Sequence, residues 1–235
     1  MEAVAAKILA ELKNLGDPKN IAEAQRVGGN MAKAYGVKVP HLRAIAKEHR
    51  KDHELALALW ATDVHEARIL ASMVDDPAHV TEEQMETWVL DFNSWDLCDQ
   101  CCGNLFDKTP YAYAKALEWS EREEEYVKRA GFAMMACLAW HDKKASNQDF
   151  EQFFPAIKRE ATDERNFVKK AVNWALRNIG KLNLELNAKA IKVAEDIDTI
   201  DDKTARWIAK DALRELRSEK IQARLEAKEE KMRQQ

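Results

Sequence analysis

The chain has 235 residues, 46% of them apolar and 33% charged, with 37 basic and 41 acidic residues and a formal charge of −4. That balance belongs to a folded globular protein and excludes a disordered chain. It also excludes a uniformly basic nucleic-acid binder, so any such surface must be a local patch. Only 7 glycines and 5 prolines are present, too few for the many turns of a sheet-rich fold. Cys98, Cys101, Cys102 and Cys137 are too few for a disulfide scaffold and read as reduced thiols of a cytoplasmic protein. Cys98 and Cys101 have metal-like spacing, but no second Cys or His pair follows, so core cysteines are expected, with no metal and no cofactor.

In chain order, Met1–Leu15 is an amphipathic helix with Val4, Ile8 and Leu12 on one face. It lacks the apolar core of a signal peptide. Gly16, Gly36 and Gly180 sit where helices should end. Asp17-Pro18 and Thr109-Pro110 place a capping side chain before proline, and Thr81 to Gln84 reads as a capping box. Gly28-Gly29-Asn30 interrupts a helix, as a kink that lets a backbone approach closely. Ser94 caps a helix beginning at Trp95. The longest apolar run, Ala130 to Trp140, falls short of the ~20 residues of a membrane helix, so no membrane partner is expected. Residues 195–202 hold five acids and no base and read as a solvated loop. Residues 203–235, with ten bases and six acids, read as one long C-terminal helix whose end frays. The expectation is a single all-α domain, 1–235, of about a dozen helices of roughly 10–18 residues.

Four stretches look alike: Ala67–Ala71, Lys128–Phe132, Lys169–Asn173 and Arg206–Lys210. Each opens a small-apolar helix near a basic residue. They recur about every 40 residues, or about 60 where one unit is missing, close to the ~40–47 of two-helix HEAT and armadillo repeats.

Three segments carry candidate chemistry. Trp95 and Asp99 are four apart, one turn from each other on one helix face. Asp96 sits in the first turn, where the helix dipole accounts for it. Asp99 lies mid-helix among Leu97, Cys98, Cys101 and Cys102, and is either a surface residue or a site. In the second segment Val168, Val172, Ala175 and Ile179 form a core stripe, with Lys170, Asn173, Trp174, Arg177 and Lys181 opposite. An aromatic among cations suits a phosphate backbone with a base or sugar on the ring; the alternative is a Trp half-buried against a neighbouring repeat. In the third, Tyr126 and Arg129 share a face, and Arg129 alone is more often a salt-bridge partner than a ligand. The bases of 158–181, seven against three acids, offer a local basic patch.

Together these segments resemble the AlkD-type DNA alkylation repair proteins, HEAT-like repeat glycosylases. The similarity runs from Gly36-x-x-x-Pro40-x-x-Arg43 through Trp95-Asp96-x-x-Asp99 and Lys128-Arg129-Ala130 to Lys170-Ala171-x-x-Trp174-x-Leu176-Arg177. The resemblance implies a curved helical solenoid with a concave ligand face. It implies a monofunctional glycosylase that removes cationic N3- and N7-alkylated purines from duplex DNA without flipping the base into a pocket. Asp99 would be the catalytic carboxylate, with Trp95 and Trp174 against the deoxyribose and backbone. Arg129, Lys170 and Arg177 would contact DNA. A monomer acting on alkylated duplex DNA, nucleoid-associated when bound, is expected. The other reading is a non-catalytic HEAT-repeat DNA-binding or protein-scaffold module.

Overall fold

The computed structural model describes residues 1–234, and its regular elements are all helices. Seven α-helices and a short 3-10 turn make up the first of two compact units, Met1–Tyr111. They are α1 (Glu2–Leu15), α2 (Pro18–Arg26), α3 (Val39–Glu48), α4 (His53–Trp60), α5 (His65–Val74), α6 (Glu82–Leu90) and α7 (Trp95–Asn104). The second unit begins at Ala112. It holds α8 (Ala112–Ser120), α9 (Glu125–His141), α10 (Asn147–Glu151), α11 (Phe154–Arg159), α12 (Asn166–Ile179), α13 (Leu184–Asp198), α14 (Lys203–Leu216) and α15 (Glu219–Arg233). Gln235, the last residue of the expected fraying end, lies outside the described residues.

Within each unit the second helices of successive pairs stack side by side, α3 on α5 on α7 in the first and α9 on α12 on α14 in the second. The four look-alike stretches all fall on such helices, and α7 occupies the interval that lacked one. The repeat is visible in the bonding. In the first unit Trp60 bonds Asp91, His65 bonds Asp96 and Asn104 bonds Ser72, partners 31 or 32 residues apart. In the second, Arg129 bonds Phe167, Asn147 bonds Glu185, Asn173 bonds Asp211 and Arg177 bonds Glu215, all 38 apart. Equivalent positions of neighbouring repeats meet, so one interface is used repeatedly.

Local chemistry sets the boundaries. Asp17 and Thr81 cap α2 and α6, accepting from Lys19 N at 2.9 Å and Gln84 N at 3.1 Å, but the box expected at Thr81 is not completed: the Gln84 side chain donates to Asp75 at 2.8 Å instead. Thr109 does not cap a helix: its hydroxyl donates to Phe106 O at 2.8 Å, and α8 starts later, at Ala112. Gly28-Gly29 ends α2 rather than kinking it. Gly28 takes φ 85°, Gly28 N bonds Gln25 O and Gly29 N bonds Ala24 O, the two bonds of a Schellman stop. In place of one long C-terminal helix there are two, Lys203–Leu216 and Glu219–Arg233. The break at Arg217-Ser218 seats buried Leu216, and the side chains of Asn187 and Gln222 donate to its carbonyl. Residues 195–198 are the last turn of α13 rather than a loop, with Asp196 bonded to Lys158 at 3.1 Å.

Candidate functional site

In the first unit, Ser94 occupies the N-cap position of α7 and is fully buried. Leu97, Cys98, Cys101 and Cys102 point into the core, all four cysteines are unbridged, and burial pushes the Cys101 thiol up. On the other side of the helix Trp95, Asp96, Asp99 and Gln100 are half-buried. Trp95 and Asp99 therefore share the outward side one turn apart, as the spacing predicts.

The dipole does not account fully for Asp96. His65, from α5, brings its Nε2 within 2.8 Å of Asp96 Oδ2. Burial raises the Asp96 carboxyl, but the bond and charge of His65, with hydrogen bonds from Ser94 and the Leu97 backbone, together hold the group below the usual carboxylate range. Beside this pair is a pocket of about 120 Å³ whose walls include Lys33, Asp63, Arg68 and Asn93. Asp63 bridges the two cations: Arg68 lies 2.8 Å from it, and Lys33 also pairs with it. Arg68 further pairs with Asp91 at 3.1 Å and lies over the Trp60 ring.

Sequence reasoning missed two features of this unit. Glu66, on α5, is buried, and its carboxylate accepts from the backbone N–H groups of Tyr35, Gly36 and Val37 at 2.6–3.1 Å. This nest fixes the loop entering α3. A larger groove, about 790 Å³, is lined by Arg43, Lys47, Arg50, Lys51 and Lys108, with Asp75 and Asp76 between. The i, i+4, i+7 spacing of Arg43, Lys47 and Arg50 was the available signal.

In the second unit the basic face of α12 is partly neutralised. Lys170 is exposed and Trp174 half-buried. Asn173, expected with the cations, is buried and donates to Asp211 at 2.7 Å, because this side of α12 faces α14. Arg177 and Lys181 reach Glu215 at 2.5 and 2.8 Å. Burial raises the Glu215 carboxyl, but Lys181 and Arg177 together bring it below its ordinary value. Arg129 is 6% exposed and donates to the Phe167 carbonyl at 2.6 Å, with Tyr126 stacked on the Phe167 ring. This bond ties α9 to α12. Among the described residues no three His, Cys, Asp or Glu side chains are placed to hold a metal ion, and no helix is long and apolar enough to cross a membrane.

The chain is similar to two uncharacterised proteins, one of Listeria innocua at 24% identity and one of Listeria monocytogenes at 23%. Each similarity covers 81% of this chain and 84% of the relative. A solved structure matches with a TM-score of 0.73 and 20% identity over 89% of this chain and 94% of that one. It is described as a new family of proteins related to the HEAT-like repeat DNA glycosylases with affinity for branched DNA structures. The match establishes a HEAT-like repeat fold. The sequence model described as DNA alkylation repair enzyme matches residues 8–216, and the chain belongs to that DNA alkylation repair family.

Proposed function

We propose that the protein is a DNA glycosylase that hydrolyses the N-glycosidic bond of cationic N3- or N7-alkylated purines in duplex DNA, with Asp99 as its catalytic carboxylate. The observation that carries the reading is Asp99 itself. It stands on the outward side of α7, one turn beyond Trp95, backed by four buried residues, in a chain of the alkylation repair family.

An alkylated purine carries a positive charge, so breaking the bond to C1′ returns the electron pair to the ring and releases a neutral base. No general acid is required. The cationic sugar left behind is stabilised by a fixed carboxylate. The same carboxylate orients water for attack at C1′ and takes its proton. Trp95, an electron-rich indole one turn from Asp99 on the same helix, adds attraction to the sugar cation. Lys170, exposed on α12, contacts phosphate. Arg177 does so in competition with Glu215, and Arg129 through its fixed position on α9. The protein acts as a monomer on alkylated duplex.

The test is release of free 7-methylguanine from methylated duplex by the wild type and by Asp99→Asn. Release by the first and not the second supports the assignment, and equal release rejects it. The affinity of the solved relative for branched DNA favours one second reading, a DNA-binding module without excision. In that case neither protein releases base and both bind forked DNA equally.

A further inference from the structure

The outer side of α14 carries an arrangement that excision by Asp99 does not use. Trp207 is 42% exposed, on a helix whose Ala205, Ile208, Ala209 and Ala212 are buried. Lys203, Trp207, Lys210 and Arg214 fall at i, i+4, i+7 and i+11, a single stripe away from the core. With Arg206 and Asp211 they line an open depression of about 450 Å³. From α12, Lys169 brings its Nζ 5.6 Å from the centre of the Trp207 ring, within cation–π range.

Folding does not call for this stripe. An indole gains most when buried, and cations one turn apart on a helix repel. The acids nearby cancel them only in part. Arg214 pairs with Asp211, while Lys203 faces Glu164 at 3.5 Å and Arg206 faces Asp201 at 2.9 Å, both exposed pairs, and such pairs contribute little. Lys210 is in no ion pair among the described residues. An exposed aromatic set in a basic depression is the arrangement that holds unpaired nucleic acid, the ring taking a base face and the cations the flanking phosphates.

We propose that Trp207 is a stacking platform for an unpaired DNA base, with Lys203, Lys210 and Arg214 holding the adjoining backbone. Bases inside a duplex are already paired and stacked, so the platform serves a single strand, a gap or a fork. Stacking of this kind tolerates any base. The inference rests on the DNA-binding part of the proposed function and not on its excision chemistry.

The experiment measures binding of a labelled 15-nucleotide single strand and of a blunt duplex of the same sequence by fluorescence anisotropy at several salt concentrations. Trp207→Ala is expected to weaken single-strand binding about tenfold and to leave duplex binding within about twofold. Trp207→Phe, which keeps a ring, stays within about threefold of wild type. Lys210→Gln makes the single-strand salt slope shallower by about 0.7. Release of 7-methylguanine by Trp207→Ala remains at the wild-type rate. Equal single-strand affinity of Trp207→Ala and wild type, or an equal loss on both DNAs, would overturn the platform. A wild type that releases no base but shows the Trp207 effect would reject excision and leave the platform standing.

Discussion

His65 and Asp96 join α5 to the first turn of α7 through a bond of 2.8 Å. Trp95 precedes Asp96 and Asp99 follows it by three residues, so this bond sets the position of both. Asp96→Asn should lower stability at neutral pH by about 1–3 kcal/mol, since it breaks a largely buried bond to a charged acceptor. The Asp96 carboxyl lies below its ordinary value in the folded chain. Its contribution is therefore complete above the ordinary carboxylate value of about 4 and fades as pH falls through the lower folded value. Urea midpoints at pH 7 and pH 3 test this. The gap between wild type and variant should be wide at pH 7 and narrow at pH 3, and a constant gap would remove the linkage.

Glu66 stabilises the entry to α3 with three backbone bonds to one buried carboxylate. Glu66→Gln puts an amide among N–H donors, leaving some of them unsatisfied. A loss of about 2–4 kcal/mol follows. For a chain of this size that lowers the melting temperature by roughly 5–12 °C. Circular dichroism melting checks it, and a shift below about 2 °C would show that the nest adds little.

Gly131 lets α9 approach α8. A Cβ built there would lie 2.5 Å from Ser120 N and 2.9 Å from Ala116 O, both backbone atoms. Gly131→Ala therefore forces the helices apart and should cost about 1–3 kcal/mol, despite the better helix propensity of alanine. A stabilised variant would mean that the two helices separate freely.

Glu215 holds Arg177 and Lys181 away from other anions. Glu215→Gln releases Lys181 and leaves Arg177 with its 3.7 Å pair to Asp211. Duplex affinity should rise several-fold at low salt, with a slope of log K against log salt steeper by up to about 0.9 for each phosphate gained. An unchanged slope would place Lys181 outside the DNA surface.

Much of the helical architecture was legible because apolar spacing and caps are local signals. Val168, Val172, Ala175 and Ile179 are all buried as the stripe predicts, and α1 follows Val4, Ile8 and Leu12. The failures are places where tertiary contacts decide. Asn173 lies on the polar side of α12, but that side packs against α14. Leu57 is apolar yet exposed, since α4 is covered on one side only. The pairing of His65 with Asp96 and the cradle for Glu66 join residues about 30 apart, and no local pattern announces them. Trp95 and Asp99 could be placed on one outward helix face because helical spacing and the family motif fall on the same residues. Trp207 lay within a recognised repeat, but only burial distinguishes its exposed ring from a core one.

The most direct test of the account is single-turnover release of 7-methylguanine from a duplex carrying it at one site, with binding of the same duplex measured in parallel. The account predicts release by the wild type. It predicts a loss of at least about a hundredfold in rate for Asp99→Asn, the scale of removing an electrostatic group aimed at developing charge, with affinity within about threefold. An Asp99→Asn protein that binds normally and releases base at the wild-type rate would contradict it.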